Sequence, residues 1–107
     1  MTVAVLWTDR AKRRAADLGD FIAQRDPSAA ALAIASLFDR VAVLADHPEL
    51  GSVFPGSPTD NVRSLYVDPY RVYYVFHKSE ATISIPTVRH AREAPISLAV
   101  ATDDGEP

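Results

Sequence analysis

Val62-Arg-Ser-Leu-Tyr-Val67, then Asp68-Pro69, then Tyr70-Arg-Val-Tyr-Tyr-Val-Phe-His77 decide how this chain folds. Both runs are rich in β-branched and aromatic residues and are separated by turn formers, which predicts two strands. Asp68-Pro69 fits the opening of a type I turn, with Pro69 supplying its fixed φ. Period two along the second run puts Tyr70, Val72, Tyr74 and Phe76 on one face and Arg71, Tyr73, Val75 and His77 on the other. A third run, Ala81 to Arg92, begins its strand with Ile83 and Ile85. Pro86 cannot donate to a ladder, so an edge or a bulge is expected there, shifting the side-chain phase before Val88 and His90.

Working back from this sheet, Asp46-His47-Pro48 marks a break, and Gly51, Pro55, Gly56 and Pro58 keep residues 47–61 in turns. Ahead of the break, Ala30, Ile34, Leu37, Phe38, Val41, Leu44 and Ala45 recur at helical spacing, with Asp26 as cap and Pro27 at the first position. An earlier stripe of Ala11, Ala15, Leu18 and Ile22, with Phe21 beside it, predicts a first helix capped by Thr8. Val3 to Trp7 is a short β-prone run. The fold class predicted is therefore α+β: an N-terminal strand, an antiparallel helical hairpin, then a three-stranded antiparallel sheet. Residues 96–107 lose all periodicity, so a domain over 1–95 with a flexible acidic tail over 96–107 is expected.

A chain of 107 residues supports one core. It holds no cysteine, which excludes disulfides and thiolate metal or redox sites. His47, His77 and His90 have no spacing that suggests a shared metal, and no glycine loop suggests a phosphate cofactor, so neither metal nor cofactor is expected. With no signal-peptide pattern and no apolar run near the roughly 20 residues that span a bilayer, a cytoplasmic, non-membrane protein is expected.

The formal charge of −3 is unevenly spread. Residues 61–92 carry Arg63, Arg71, Lys78, Arg89 and Arg92 against Asp68 and Glu80, a local excess of +3, while Glu93, Asp103, Asp104 and Glu106 make the end acidic. Chains that hold nucleic acid through many phosphate contacts are usually far more basic. The candidate target- or partner-binding residues are Arg63, Tyr70, Arg71, Tyr73, Arg89, His90 and Arg92.

Trp7 ending the first strand, Ala11 and Leu18 in the first helix, and His47-Pro48-Glu-Leu-Gly51 after the second form an ordered set. Val62-Arg63-Ser-Leu65, Tyr70-Arg71-Val-Tyr-Tyr74 and Val88-Arg-His90-Ala-Arg92 complete it. In this order and spacing over residues 3–95 the chain resembles the RelE/ParE superfamily of bacterial toxins, and its ParE branch (plasmid stabilisation proteins) more than its RelE branch. The resemblance implies the toxin of a type II toxin–antitoxin system, held in a hetero-oligomer by a cognate antitoxin. The ParE branch is known for poisoning DNA gyrase; the RelE branch cuts messenger RNA on the ribosome.

Cleavage by a 2′-hydroxyl needs a base, cations for the phosphorane and an acid for the leaving oxygen. The RelE alternative would draw these from Arg63, Arg71, Arg92 and His90. The C-terminal tyrosine that RelE-type toxins use has no counterpart, since no Tyr, Phe or Trp follows Phe76, and companion lysines are missing beside Arg63. The reading therefore leans away from an enzyme. Arg63 is weighed mainly as a solvated strand residue, and His90 as a structural hydrogen-bonding group.

Overall fold

The computed structural model describes residues 2–94 and 96–102. Its elements are β1 (Ala4–Trp7), α1 (Asp9–Ala23), α2 (Pro27–Ala42), β2 (Ser52–Val53), β3 (Val62–Val67), β4 (Tyr70–His77), β5 (Thr82–His90) and α3 (Leu98–Thr102). Short 3₁₀ turns follow α2 (Val43–Ala45) and β4 (Lys78–Glu80). The helical hairpin starts as its residues dictate. Thr8 Oγ1 accepts from the Ala11 N–H at 3.1 Å, and Asp26 Oδ1 accepts from Ala29 N–H at 3.1 Å ahead of Pro27.

The sheet has five strands in the order β1-β5-β4-β3-β2, rather than the three expected. β1 lies parallel to β5, pairing Ala4 with Thr82 through Trp7 with Ile85. Such a pairing joins residues far apart in the chain, and side-chain periodicity carries no information about it. β2 adds a two-residue antiparallel pairing to β3 within the stretch expected to hold only turns. The Asp68–Pro69 bond is cis, so the β3–β4 connection differs from the type I turn expected, which takes a trans proline.

Pro86 lies where a bulge was expected. Tyr73 pairs with Thr87 and Val75 with Ser84, so Ile85 and Pro86 together face Tyr74. β5 is not an edge strand, but its pairing with β1 ends at Ile85, leaving Pro86 with no ladder donor to supply. The phase shift keeps Val88 on the same side as Ile83 and Ile85, where all three are fully buried.

The inner face of the sheet is covered by the helices. Ala11, Ala15 and Leu18 of α1 and Leu37, Val41 and Leu44 of the α2 segment pack on Leu65, Val67, Tyr70, Val72 and Tyr74. Residues Pro27–Ala45 form a 19-residue helical run apolar enough, by length and composition, to cross a bilayer, which the sequence reading did not expect. The run carries Asp39 and Arg40, and its Leu37, Val41 and Leu44 edge is the one buried in the core, the pattern of a helix packing on a sheet. On the outer face, Val62, Tyr73 and Val75 form a smaller cluster with Phe54, Ile96, Leu98 and Ala101. Residues 98–102, expected to lack periodic structure, thus form α3 and cover part of the sheet. The acidic end at 103–107 lies outside the described residues.

Candidate functional site

The residues singled out on the sheet separate into three groups. The first is structural. Arg63 Nη1 donates to Gly51 O at 2.8 Å and Glu49 O at 3.1 Å, while its Nε donates to Asp60 O at 3.2 Å. The guanidinium therefore ties down the 49–60 loop. Tyr74 does the same from β4, donating to Pro48 O at 2.9 Å and accepting from Gly51 N–H at 2.8 Å. Burial pushes its phenol pKa up, against the Gly51 N–H and the Arg63 charge, which lower it. Gly51 is required here, because a Cβ would lie 2.6 Å from Ser64 O.

Tyr70 and Tyr73, expected at a binding face, are core residues. Tyr70 is fully buried between sheet and helices, its hydroxyl unpaired and its pKa raised by burial. Tyr73 is 5% exposed and meets Phe54 edge-on at 5.8 Å between ring centroids. Period-two reading assigned their faces correctly. It could not show that α3 and Phe54 cover the outer one.

The second group lies where β5 ends. Glu93, which the sequence reading assigned to the acidic end, organises this corner. Its carboxylate accepts from the His90 N–H at 2.9 Å and from Arg14 of α1, and forms an ion pair with Arg89 at 3.2 Å. Partial burial pushes the Glu93 pKa up, but the His90 N–H and the Arg14 and Arg89 charges together outweigh it and hold it below the usual carboxylate range. Arg14 also donates to Val88 O at 3.1 Å. The signal was present in the i, i+4 spacing of Arg89 and Glu93. His90 Nδ1 accepts from the Arg92 N–H at 3.0 Å, a structural bond that folds the turn back on itself.

The third group reaches solvent: Tyr66 and Arg92 are exposed and Arg71 is half-buried. Arg71 stacks its guanidinium over the Tyr66 ring, 5.8 Å from the centroid, and Tyr66 donates to Asp68 at 2.8 Å. That hydrogen bond, with burial and the Asp68 charge, raises the Tyr66 pKa. Arg92 is exposed and stands on the rim of a groove of about 620 Å³. Ile22, Leu32 and Ala33 line its helical wall, and Tyr66, His90 and Arg92 its sheet wall. A second depression of about 630 Å³ continues past Ile22 to Leu18, Phe21 and Arg25. Phe21 is 58% exposed and Leu32 70%, so the hairpin presents an apolar surface beside basic side chains. Among the described residues no group of three His or acidic side chains converges as metal ligands.

Three comparisons bear on this arrangement. Residues 5–95 match the family model described as the ParE toxin of the type II toxin–antitoxin system parDE. A Sinorhizobium fredii protein named "Putative toxin Y4kP" is 34% identical over 95 residues, covering 83% of this chain and 88% of its own length. Among solved structures, a chain of the chromosomal ParDE system from P. aeruginosa superimposes with a TM-score of 0.69 at 19% identity, over 85% of this chain and 98% of that one. A chain of the RelBE2 toxin–antitoxin complex from Mycobacterium tuberculosis gives 0.62 at 19% identity, over 84% and 92%. At that identity the structural likenesses establish the shared fold.

Proposed function

The chain belongs to the ParE family of type II toxin–antitoxin toxins, and from that premise we propose that it acts by binding and inhibiting DNA gyrase in the cytoplasm and is neutralised by a cognate antitoxin. The observation that carries binding over cleavage is that two of the four candidate catalytic groups, Arg63 and His90, are engaged within the fold. Arg63 is spent on loop carbonyls, and His90 Nδ1 accepts a backbone hydrogen bond. No aromatic residue follows Phe76 to serve as a C-terminal acid. A general acid or base must reach the proton it moves, and these groups are held elsewhere.

The antitoxin reading is supported by the groove. An apolar surface containing Phe21 and Leu32, rimmed by Arg25 and Arg92, suits an amphipathic partner segment with acidic residues along its edge. Such a partner would hold the toxin in a hetero-oligomer.

Supercoiling by purified gyrase tests the target. Stoichiometric toxin is expected to stop supercoiling and to accumulate cleaved DNA–gyrase complex, with activity restored on adding the antitoxin. Full supercoiling at a several-fold excess of toxin would overturn the gyrase reading, and codon-dependent cuts in ribosome-bound messenger RNA would replace it with the ribonuclease one.

A further inference from the structure

His90 ends β5 two residues beyond Val88, so its side chain lies on the inner face of the sheet, with the helical hairpin. It borders both the groove of about 620 Å³ and its continuation of about 630 Å³, and Ile22 and Arg92 are the other residues common to the two. The imidazole thus stands at the saddle that joins them. Its Nδ1 accepts from the Arg92 N–H at 3.0 Å, so that nitrogen carries no proton and the proton of the neutral ring is on Nε2. The same bond fixes the orientation of the ring. Nε2 makes no hydrogen bond to a described residue and, unlike the Tyr70 hydroxyl, is not sealed from solvent. The fold therefore holds one donor, set in tautomer and direction, open within an otherwise apolar groove.

Its neighbours decide what it can donate to. Three described carboxylates border the saddle, and each already has donors. Asp68 accepts from the Tyr66 hydroxyl, Asp26 caps α2, and Glu93 is shared among Arg14, Arg89 and the His90 N–H. Arg25 and Arg92 are exposed there, and neither guanidinium has an acceptor among the described residues. Donors are in surplus and acceptors are spent, so the missing group is an acceptor with negative charge. The walls around it, Leu18, Phe21, Ile22 and Leu32, are apolar. The charge must then arrive on a segment that is itself mostly apolar. A helix with a carboxylate one turn from a large apolar side chain meets His90 and Ile22 together.

We propose that His90 is a specificity-determining residue of the partner groove: its Nε2–H takes a carboxylate oxygen of the antitoxin, flanked by Arg92 and Arg25. The acid sits within the apolar docking face of the partner, not only along its edge. The inference rests on the antitoxin reading and adds to it the one polar contact that sets the register of the docked segment.

The probe is the antitoxin identified by its rescue of cells expressing this chain, titrated calorimetrically into the full chain. His90→Asn puts a side-chain oxygen where Nδ1 lies, keeping the acceptor for the Arg92 N–H while removing the donor in the groove. It should weaken affinity about tenfold or more at unchanged melting temperature. His90→Gln returns an N–H near the position of Nε2 and should recover most of the loss. In the unsubstituted chain, the His90 Nε2 ¹⁵N signal should report the Nε2–H form and shift when the antitoxin binds, a readout independent of any variant. Among acid-to-amide variants of the antitoxin, one should lose as much affinity as His90→Asn and lose nothing further when combined with it. Tight binding by the parent chain together with unchanged affinity in His90→Asn, or an Nε2 signal that stays in place, overturns the proposal and leaves the antitoxin reading standing. No binding by the parent chain overturns both.

Discussion

Glu93 joins three separate parts of the fold through one carboxylate: α1 through Arg14, β5 through Arg89, and the following turn through the His90 N–H. Surface ion pairs contribute little on average, but a partly buried carboxylate with two donors and a second guanidinium beside it is a network. Its lowered pKa fixes the sign of its pH dependence. The contribution is present above the unfolded carboxylate value and is lost as pH falls through the lower folded value. Glu93→Gln should therefore cost about 1–3 kcal/mol at neutral pH, because the arginines and the amide lose a charged acceptor. The stability gap from the parent chain should close on acidification. Urea unfolding of both chains at neutral and acid pH checks this; a gap that persists in acid would mean that the carboxylate charge is not the source.

α2 shows how much of an element can be read from residue order. Its cap, its first proline and the burial of Leu37, Val41 and Leu44 all follow from local pattern. The stripe reading also placed Phe38 toward the core, whereas that ring is 46% exposed, tilted at 47° against Trp7 with 5.0 Å between centroids. Leu37→Ala should cost about 2–5 kcal/mol, as for a fully buried leucine. Leu32→Ala, at 70% exposure, should change stability by no more than about 0.5 kcal/mol. Chemical denaturation of the two variants measures the difference between the faces; similar losses would mean that Leu32 is covered. What stayed illegible is what depends on distant partners. The parallel β1–β5 pairing, the β2–β3 bridge and the packing of α3 on the outer face join segments whose local patterns do not refer to each other. The Pro86 bulge was legible because proline's missing donor is a local property. The site divided in the same way. His90 could be expected to make a structural bond, but the roles of Arg63 and Glu93 depend on loops that only the fold brings near.

At the scale of the whole molecule, one sheet has two faces and only two substantial helices, which cover the inner one. α3 is a single turn, and helices so short are not stable alone, so it depends on the cluster it joins. Among the described residues, none forms a layer over the hairpin's own outer surface. Phe21 and Leu32 project there beside the Ile22 groove, with Arg25 and Arg92 at its margin. A partner that buries this surface removes two large side chains from water, and truncating such anchors characteristically costs about 1–2 kcal/mol or more each in binding. The double substitution Phe21→Ser, Leu32→Ser should therefore leave the fold intact, raise the soluble yield of the chain expressed alone, and weaken antitoxin binding at least tenfold. Yield after size-exclusion chromatography and titration calorimetry against the antitoxin separate these effects. Unchanged affinity with improved solubility would place the antitoxin elsewhere, most plainly along the outer face that α3 covers only in part. Unchanged solubility with lost affinity would keep the docking site and show that the apolar surface alone does not limit the isolated chain.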